Sequence, residues 1–301
     1  MAVNREQSPF GTVLTAMVTP MLADGSVDYP GVGTLAEYLV ANGNDGIVVN
    51  GTTGEAPTTT DDEKSRILAA VLESVGDAAF VVAGVGTNDT AHSVELARAA
   101  QDAGARGLLA VTPYYNKPPQ AGILAHFNKL ADNVDLPIML YDIPGRTGTA
   151  IEWETLVQLA EHRNIVAVKD AKGDLESVVE VLRRTDLVWY SGDDGLNLPF
   201  LSIGGAGFVS VTGHFVAQRL GELATTFWSG DVTKAIEINE ALQPVSTGLF
   251  RTQGAILTKA ALNELGLPAG PMRLPLVDAT AEQIAVLRSD LALGAVAGFT
   301  A

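Results

Sequence analysis

A lysine that closes a run of apolar residues is the first feature of this sequence that could do chemistry. Lys169 directly follows Ile165, Val166, Ala167 and Val168, and it alone of the seven lysines is so placed. An amine held at the end of an apolar strand is partly desolvated, which lowers its pKa and exposes a neutral nucleophile. Beside hydroxyl proton donors such an amine can form a Schiff base with a carbonyl compound. By position alone, a strand-end lysine paired with a carboxylate such as Asp170 is the commoner arrangement. Tyr141 stands at the end of a neighbouring apolar run and offers a phenol that could shuttle protons, although an isolated tyrosine of this kind is more often core or rim. The pair shifts the balance toward chemistry without deciding it.

Other groups follow other apolar runs. Thr52 and Thr53, between glycines, offer two hydroxyls and nearby backbone N–H groups suited to a carboxylate; a plain turn is an equal reading. Arg146, after Pro144-Gly145, could grip a substrate carboxylate bidentately or simply be a solvated surface arginine. Gly84-Val85-Gly86 and Gly204-Gly205-Ala206-Gly207 match no full nucleotide fingerprint, and such glycines usually serve tight geometry. His92, His126, His162 and His214 lack close ligand spacing, so no metal site is expected. Asp193-Asp194 suits a capped turn better than a bound cation. With no cysteine in the chain, thiolate zinc sites, iron–sulfur clusters, disulfides and cysteine nucleophiles are excluded.

The elements that must position these groups show as apolar runs at nearly even spacing: residues 15–18, 46–49, 80–83, 107–111, 137–140, 165–168, 187–190 and 208–211. Amphipathic stretches lie between them, with Val32, Leu35, Ala36 and Leu39 on one stripe and Ile67, Leu68, Val71, Leu72 and Val75 on another. Asp61-Asp62-Glu63 suits the first turn of the second helix. Continuous apolar strands alternating with helices indicate a parallel sheet covered by helices, and eight of them predict a (β/α)8 TIM barrel. In such barrels the active site lies at the C-terminal ends of the strands, where Thr52, Thr53, Tyr141, Arg146, Lys169 and Asp193-Asp194 fall. Residues 214–228, 232–245, 253–265 and 281–293 read as helices, the last with Ile284, Leu287 and Leu291 on one face. The expected organisation is a catalytic barrel over residues 1–230 and a helical segment over 231–301 packed on it.

The 301 residues are 47% hydrophobic and 18% charged, enough for a sizeable core, which rules out disorder. A net charge of −16 argues against nucleic acid or anionic membrane as a partner. The polar stretch 1–11 lacks the apolar core of a signal peptide, and no run is long enough to span a bilayer, so a cytoplasmic location is expected.

Five motifs in order carry a resemblance: Gly51-Thr52-Thr53-Gly54-Glu55, Thr112-Pro113-Tyr114-Tyr115, Tyr141-Asp142-Ile143-Pro144-Gly145-Arg146-Thr147-Gly148, Val168-Lys169-Asp170-Ala171 and Ser191-Gly192-Asp193-Asp194. From about Gly11 to Arg273-Leu274-Pro275-Leu276 the chain resembles the dihydrodipicolinate synthases of the class I pyruvate-dependent lyase family, which also contains N-acetylneuraminate lyase. Asp142 and Lys172 look most like the actinobacterial branch. The resemblance implies a homotetramer that condenses pyruvate with L-aspartate 4-semialdehyde to give 4-hydroxy-tetrahydrodipicolinate, in lysine and diaminopimelate biosynthesis, without metal or organic cofactor.

The resemblance further implies that Lys169 forms the Schiff base and Tyr141 donates and accepts protons. Thr52 and Tyr115 complete a proton relay, Tyr115 reaching into a neighbouring subunit. Thr53 and Val209 hold pyruvate, Gly192 lines the same pocket, and Arg146 receives the semialdehyde carboxylate. Departures are mild: Ala56 for a common serine, Asp142 for a frequent asparagine, Val209 for a frequent isoleucine. N-acetylneuraminate lyase and 2-keto-3-deoxy-sugar acid aldolases share the lysine and tyrosine, but Arg146 favours a short second substrate with a carboxylate. A metal- or phosphate-binding barrel, or a binding protein on a dead barrel, is the rival of another class. Many family members are inhibited by lysine, bound in a cleft between subunits. Asn88 and Tyr114 match residues there, but Lys64 stands in place of a histidine and His92 in place of a glutamate, which implies insensitivity to lysine.

Overall fold

The computed structural model describes residues 8–300; most of the polar N-terminal stretch, residues 1–7, and residue 301 lie outside the described residues. Each of the eight predicted runs forms a strand: β1 (Val13–Ala16), β2 (Gly46–Val49), β3 (Phe80–Gly84), β4 (Gly107–Val111), β5 (Ile138–Asp142), β6 (Ile165–Asp170), β7 (Val188–Ser191) and β8 (Gly207–Ser210). They pair in sequence order, all parallel, and β1 pairs with β8 through Val13↔Phe208 and Leu14↔Val209 to close a barrel. The first strand begins two residues earlier than its apolar run. There the Asp45 carboxylate accepts the N–H groups of Thr12 and Val13, which fixes the start of pairing.

Strand alternation decides what each residue faces. Leu14, Ala16, Val48, Val82, Leu109, Met139, Tyr141, Ala167, Tyr190 and Val209 fill the barrel interior. Their neighbours in the chain, among them Ile47, Val81, Leu108, Ile138, Leu140 and Val168, join the larger layer between the strands and the outer helices. Lys169 shares the parity of Ala167 and points inward, whereas Asp142 and Asp170 share the parity of Leu140 and Val168 and point outward.

The covering helices are α1 (Tyr29–Ala41), α2 (Asp61–Val75), α3 (Thr90–Asp102), α4 (Gln120–Ala131), α5 (Pro144–Thr147), α6 (Trp153–Leu159), α7 (Leu175–Leu182), α8 (Asn197–Ser202) and α9 (Gly213–Trp228). Both predicted stripes face the barrel, buried except for the half-buried Leu72. Thr60 and Glu63 cap α2 reciprocally, and Asp61, Asp62 and Glu63 occupy its first turn, where the helix dipole favours negative charge.

Three helices follow: α10 (Val232–Leu249), α11 (Gly254–Glu264) and α12 (Ala281–Leu293). The first runs past the expected end at 245 although Pro244 interrupts its hydrogen-bond ladder. Val245 and Leu249 extend the buried stripe of Ala235, Ile238 and Leu242, so packing on the barrel carries the helix through the proline. Leu287 and Leu291 of α12 are buried on this second core and Ile284 is half-buried beside them.

Candidate active site

Lys169 and Tyr141 sit side by side inside the top of the barrel, because β5 and β6 pair in the register Tyr141↔Lys169. The Lys169 Nζ lies 4.2 Å from the centre of the Tyr141 ring. Lys169 is 5% exposed, and this burial pushes its ammonium pKa down to about 7; the Asp194 carboxylate opposes the shift and the Arg146 guanidinium adds to it. Burial also pushes the Tyr141 phenol up to about 12, so it stays protonated. The result is an amine that is in good part neutral near pH 7, beside a phenol able to donate a proton. The pair Lys169–Asp170 does not form: Asp170 is on the outer face, where its Oδ1 accepts the N–H groups of Lys172 at 2.7 Å and Gly173 at 2.9 Å.

Gly192, just beyond β7, lets the lysine stem pass. A Cβ there would lie 2.9 Å from Lys169 Cγ and 2.9 Å from the Asp170 carbonyl oxygen. Val209 belongs to the interior cluster that includes Tyr141.

Above this pair opens a cavity of about 490 Å³ whose lining includes Thr52, Tyr115, Tyr141, Ile143 and Arg146. Tyr141 lies in β5 itself, Thr52 and Tyr115 on the loops after β2 and β4, and Arg146 on the turn after β5, and the barrel brings the four together. Thr53 lies beside Thr52 on the same loop, half-buried, but is not part of the lining; nor are the buried Lys169 and Val209 or the half-buried Gly192. Arg146 is exposed on α5, a single turn started by Pro144. Tyr115 is 87% exposed with a positive φ of 74°, an unusual placement for an aromatic ring, and its N–H bonds to the Thr147 carbonyl. The same cavity extends to Asn88, Tyr114, Lys64 and His92. His92 Nε2 lies 2.9 Å from Asp61 Oδ2, and Lys64 Nζ donates to the Thr59 carbonyl at 2.6 Å.

Asp193 caps a short 3-10 turn, as its sequence context predicts. Asp194 is buried and does something the sequence does not reveal. It accepts the Ser210 hydroxyl and the N–H groups of Val211 and Thr212, tying the loop after β8 to the site and placing a negative charge near Lys169. Behind Tyr141, burial lifts Asp142 to about 7 despite Lys172, whose Nζ is 3.9 Å away. The glycine pairs serve close packing: a Cβ on Gly84 would lie 2.3 Å from the Asn50 carbonyl oxygen, and one on Gly207 would lie 2.2 Å from that of Thr12. The four histidines bond to Asp61, Thr90, Asp132 and the Val211 carbonyl, and no cluster suited to a metal ion occurs among the described residues. No helix among the described residues is long and apolar enough to cross a membrane.

The chain matches the family model described as "Dihydrodipicolinate synthetase family" over residues 9–293. It is 62% identical over 300 residues to the 4-hydroxy-tetrahydrodipicolinate synthase of Acidothermus cellulolyticus, covering 100% of this chain and 96% of the relative. It is 59% identical to 4-hydroxy-tetrahydrodipicolinate synthase 2 of Streptomyces coelicolor, covering 96% and 97% of the two chains. A crystal structure of the enzyme from Cyanidioschyzon merolae with lysine bound superposes with a TM-score of 0.94 at 43% identity, over 95% of this chain and 99% of the other. By sequence and by fold, this chain belongs to the dihydrodipicolinate synthetase family.

Proposed function

We infer that this chain condenses pyruvate with L-aspartate 4-semialdehyde to give 4-hydroxy-tetrahydrodipicolinate, in lysine and diaminopimelate biosynthesis. The observation that carries the reading is the buried Lys169 amine, held near neutrality against Tyr141 beneath a cavity edged by Arg146. The amine attacks the ketone carbon of pyruvate, and Tyr141 gives a proton to the departing hydroxyl so that water leaves and an imine remains. The imine draws electrons from the methyl group, which loses a proton to the relay of Tyr141, Thr52 and Tyr115. The resulting enamine attacks the aldehyde carbon. The substrate's own amine then displaces Lys169 by transimination and closes the ring, returning the free lysine.

In this reading Thr53, Val209 and Gly192 hold the pyruvate portion and Arg146 takes the semialdehyde carboxylate. The active unit is a homotetramer in the cytoplasm, with Tyr115 donated to a neighbour. Residues 1–230 form the catalytic barrel and residues 231–301 a supporting helical segment.

Borohydride added with pyruvate should fix a covalent adduct on Lys169, seen as a mass gain on the peptide that contains it. Arg146→Ala should keep this trapping while losing about 10- to 100-fold in kcat/KM for the semialdehyde, the cost of a charge-assisted bond. An untrapped wild type, or faster cleavage of N-acetylneuraminate than condensation of the semialdehyde, would overturn the assignment.

A further inference from the structure

The loop that carries Thr52 and Thr53 is bounded by two residues in left-handed backbone conformation, Asn50 with φ 55° and Glu55 with φ 60°. Neither is glycine, and such conformations persist only where the surroundings enforce them. Asn50 is held by its amide, which donates to the Lys64 carbonyl at 3.0 Å. Glu55 is held from far away in the chain. Its Oε1 lies 2.5 Å from Lys259 Nζ of α11, and its Oε2 accepts the Arg273 N–H at 2.9 Å. The side chains of Glu55 and Lys259 are 1% and 2% exposed. Lys259 also donates to the Pro271 carbonyl at 2.9 Å, which fixes the segment that carries Arg273. The Arg273 guanidinium then binds the Gly25 and Thr58 carbonyls and both oxygens of Glu63.

Neither Lys259 nor Arg273 lines the cavity, yet what they hold is one hydrogen bond from it. The Glu55 N–H donates to the Thr52 carbonyl at 3.2 Å, and the Thr19 hydroxyl donates to the Gly54 carbonyl at 2.7 Å. Turning Glu55 out of its left-handed conformation therefore moves the peptide that bears the Thr52 side chain. A buried ion pair adds little net stability, because desolvation offsets the attraction. What this one adds is a fixed carboxylate position. Burial lowers the pKa of Lys259 while Glu55 raises it, so the amine relies on its carboxylate partner to stay charged.

We propose that Lys259, acting through Glu55 and assisted by the Arg273 N–H, is a positioning residue that sets the Thr52 hydroxyl for proton transfer. The helical segment beyond the barrel is then part of the catalytic apparatus without touching substrate. The inference rests on the Schiff-base reading of Lys169, and the two fail separately. An untrapped wild type defeats that reading, whereas wild type and variants that are trapped alike and turn over alike defeat only this one.

The test uses the full chain and three variants: Lys259→Met, Lys259→Arg and the doubly neutral Glu55→Gln/Lys259→Met. Borohydride trapping with pyruvate counts competent sites, deuterium uptake into the pyruvate methyl group reads proton transfer, and steady-state kinetics separates kcat from KM. In Lys259→Met, methyl exchange and kcat per trapped site should fall by about 10- to 100-fold, the scale of a misplaced proton-transfer group. KM for pyruvate should stay close to wild type, and Lys259→Arg should recover much of the loss. If the single variant does not fold, the double variant carries the same expectation, since it leaves no unpaired buried charge. Exchange and kcat per trapped site at the wild-type level in a folded variant would overturn the proposal, whatever the change in melting temperature.

Discussion

At the scale of single residues, the depressed pKa of Lys169 has two measurable consequences with opposite meanings. The amine must be neutral to attack, so kcat/KM for pyruvate should rise with pH through an apparent pKa near 7 and level off above it. Between pH 7 and the ordinary lysine value of 10.5 the unfolded chain holds a proton that the folded site does not, so this residue makes stability increase with pH across that window. Lys169→Met removes the penalty and should raise stability by roughly 3 kcal/mol at pH 8 while abolishing turnover. An unchanged melting temperature would show that the amine is not desolvated as the structure indicates. Lys64 and His92 allow a second prediction. Lysine brings two ammonium groups and one carboxylate, and an effector entering this cavity would meet Lys64 and His92, with the Asp61 carboxylate already engaged by both. A lost charge-assisted bond costs on the order of 1.5–3 kcal/mol, so L-lysine titrated into a coupled assay should not inhibit below the millimolar range. Lys169 and Tyr141 were legible because they end apolar runs. The inward aim of one and the outward aim of Asp170 were not, because that depends on strand parity, which only pairing fixes.

At the scale of elements, the strands were readable because a parallel sheet covered on both faces is apolar at every position. Their register was not, and register is what sets Tyr141 against Lys169. The loops carried weaker signals. The resemblance puts Gly192 in the pyruvate pocket, and the structure adds that it is the point at which the lysine stem crosses the end of β7. Gly192→Ala places a methyl group 2.9 Å from backbone oxygen and 3.0 Å from Lys169 Cε, so the lysine must shift. Since a displacement near 1 Å can cost about 100-fold in rate, kcat should fall by about that factor with the circular dichroism spectrum unchanged. Full activity in that variant would mean the stem has slack. The pairing of Glu55 with Lys259 left no trace in the sequence: a lysine within the apolar stretch of α11 looks like one whose head reaches water.

At the scale of the whole molecule, the exposed Tyr115 ring bears on assembly. The Tyr115 backbone is held by its N–H bond to the Thr147 carbonyl, but its ring stands 87% exposed, and in the proposed relay it serves a neighbouring subunit. Specific activity should therefore fall on dilution together with the sedimentation coefficient, and Tyr115→Ala should lose activity without losing the fold; a fully active monomer would contradict this. The proposed tetramer is not written in composition or periodicity, because an interface on an exposed loop uses the same residue types as any surface.

The contact between Glu55 and Arg273 joins residues 218 positions apart. On a ribosome adding roughly 5–20 residues per second, about 10–40 s separate the emergence of its two ends. Barrel closure through β1 and β8 comes earlier, once residue 210 is free of the exit tunnel. The threonine loop, encoded in the first fifth of the message, is thus among the last parts of the nascent chain to take its final shape.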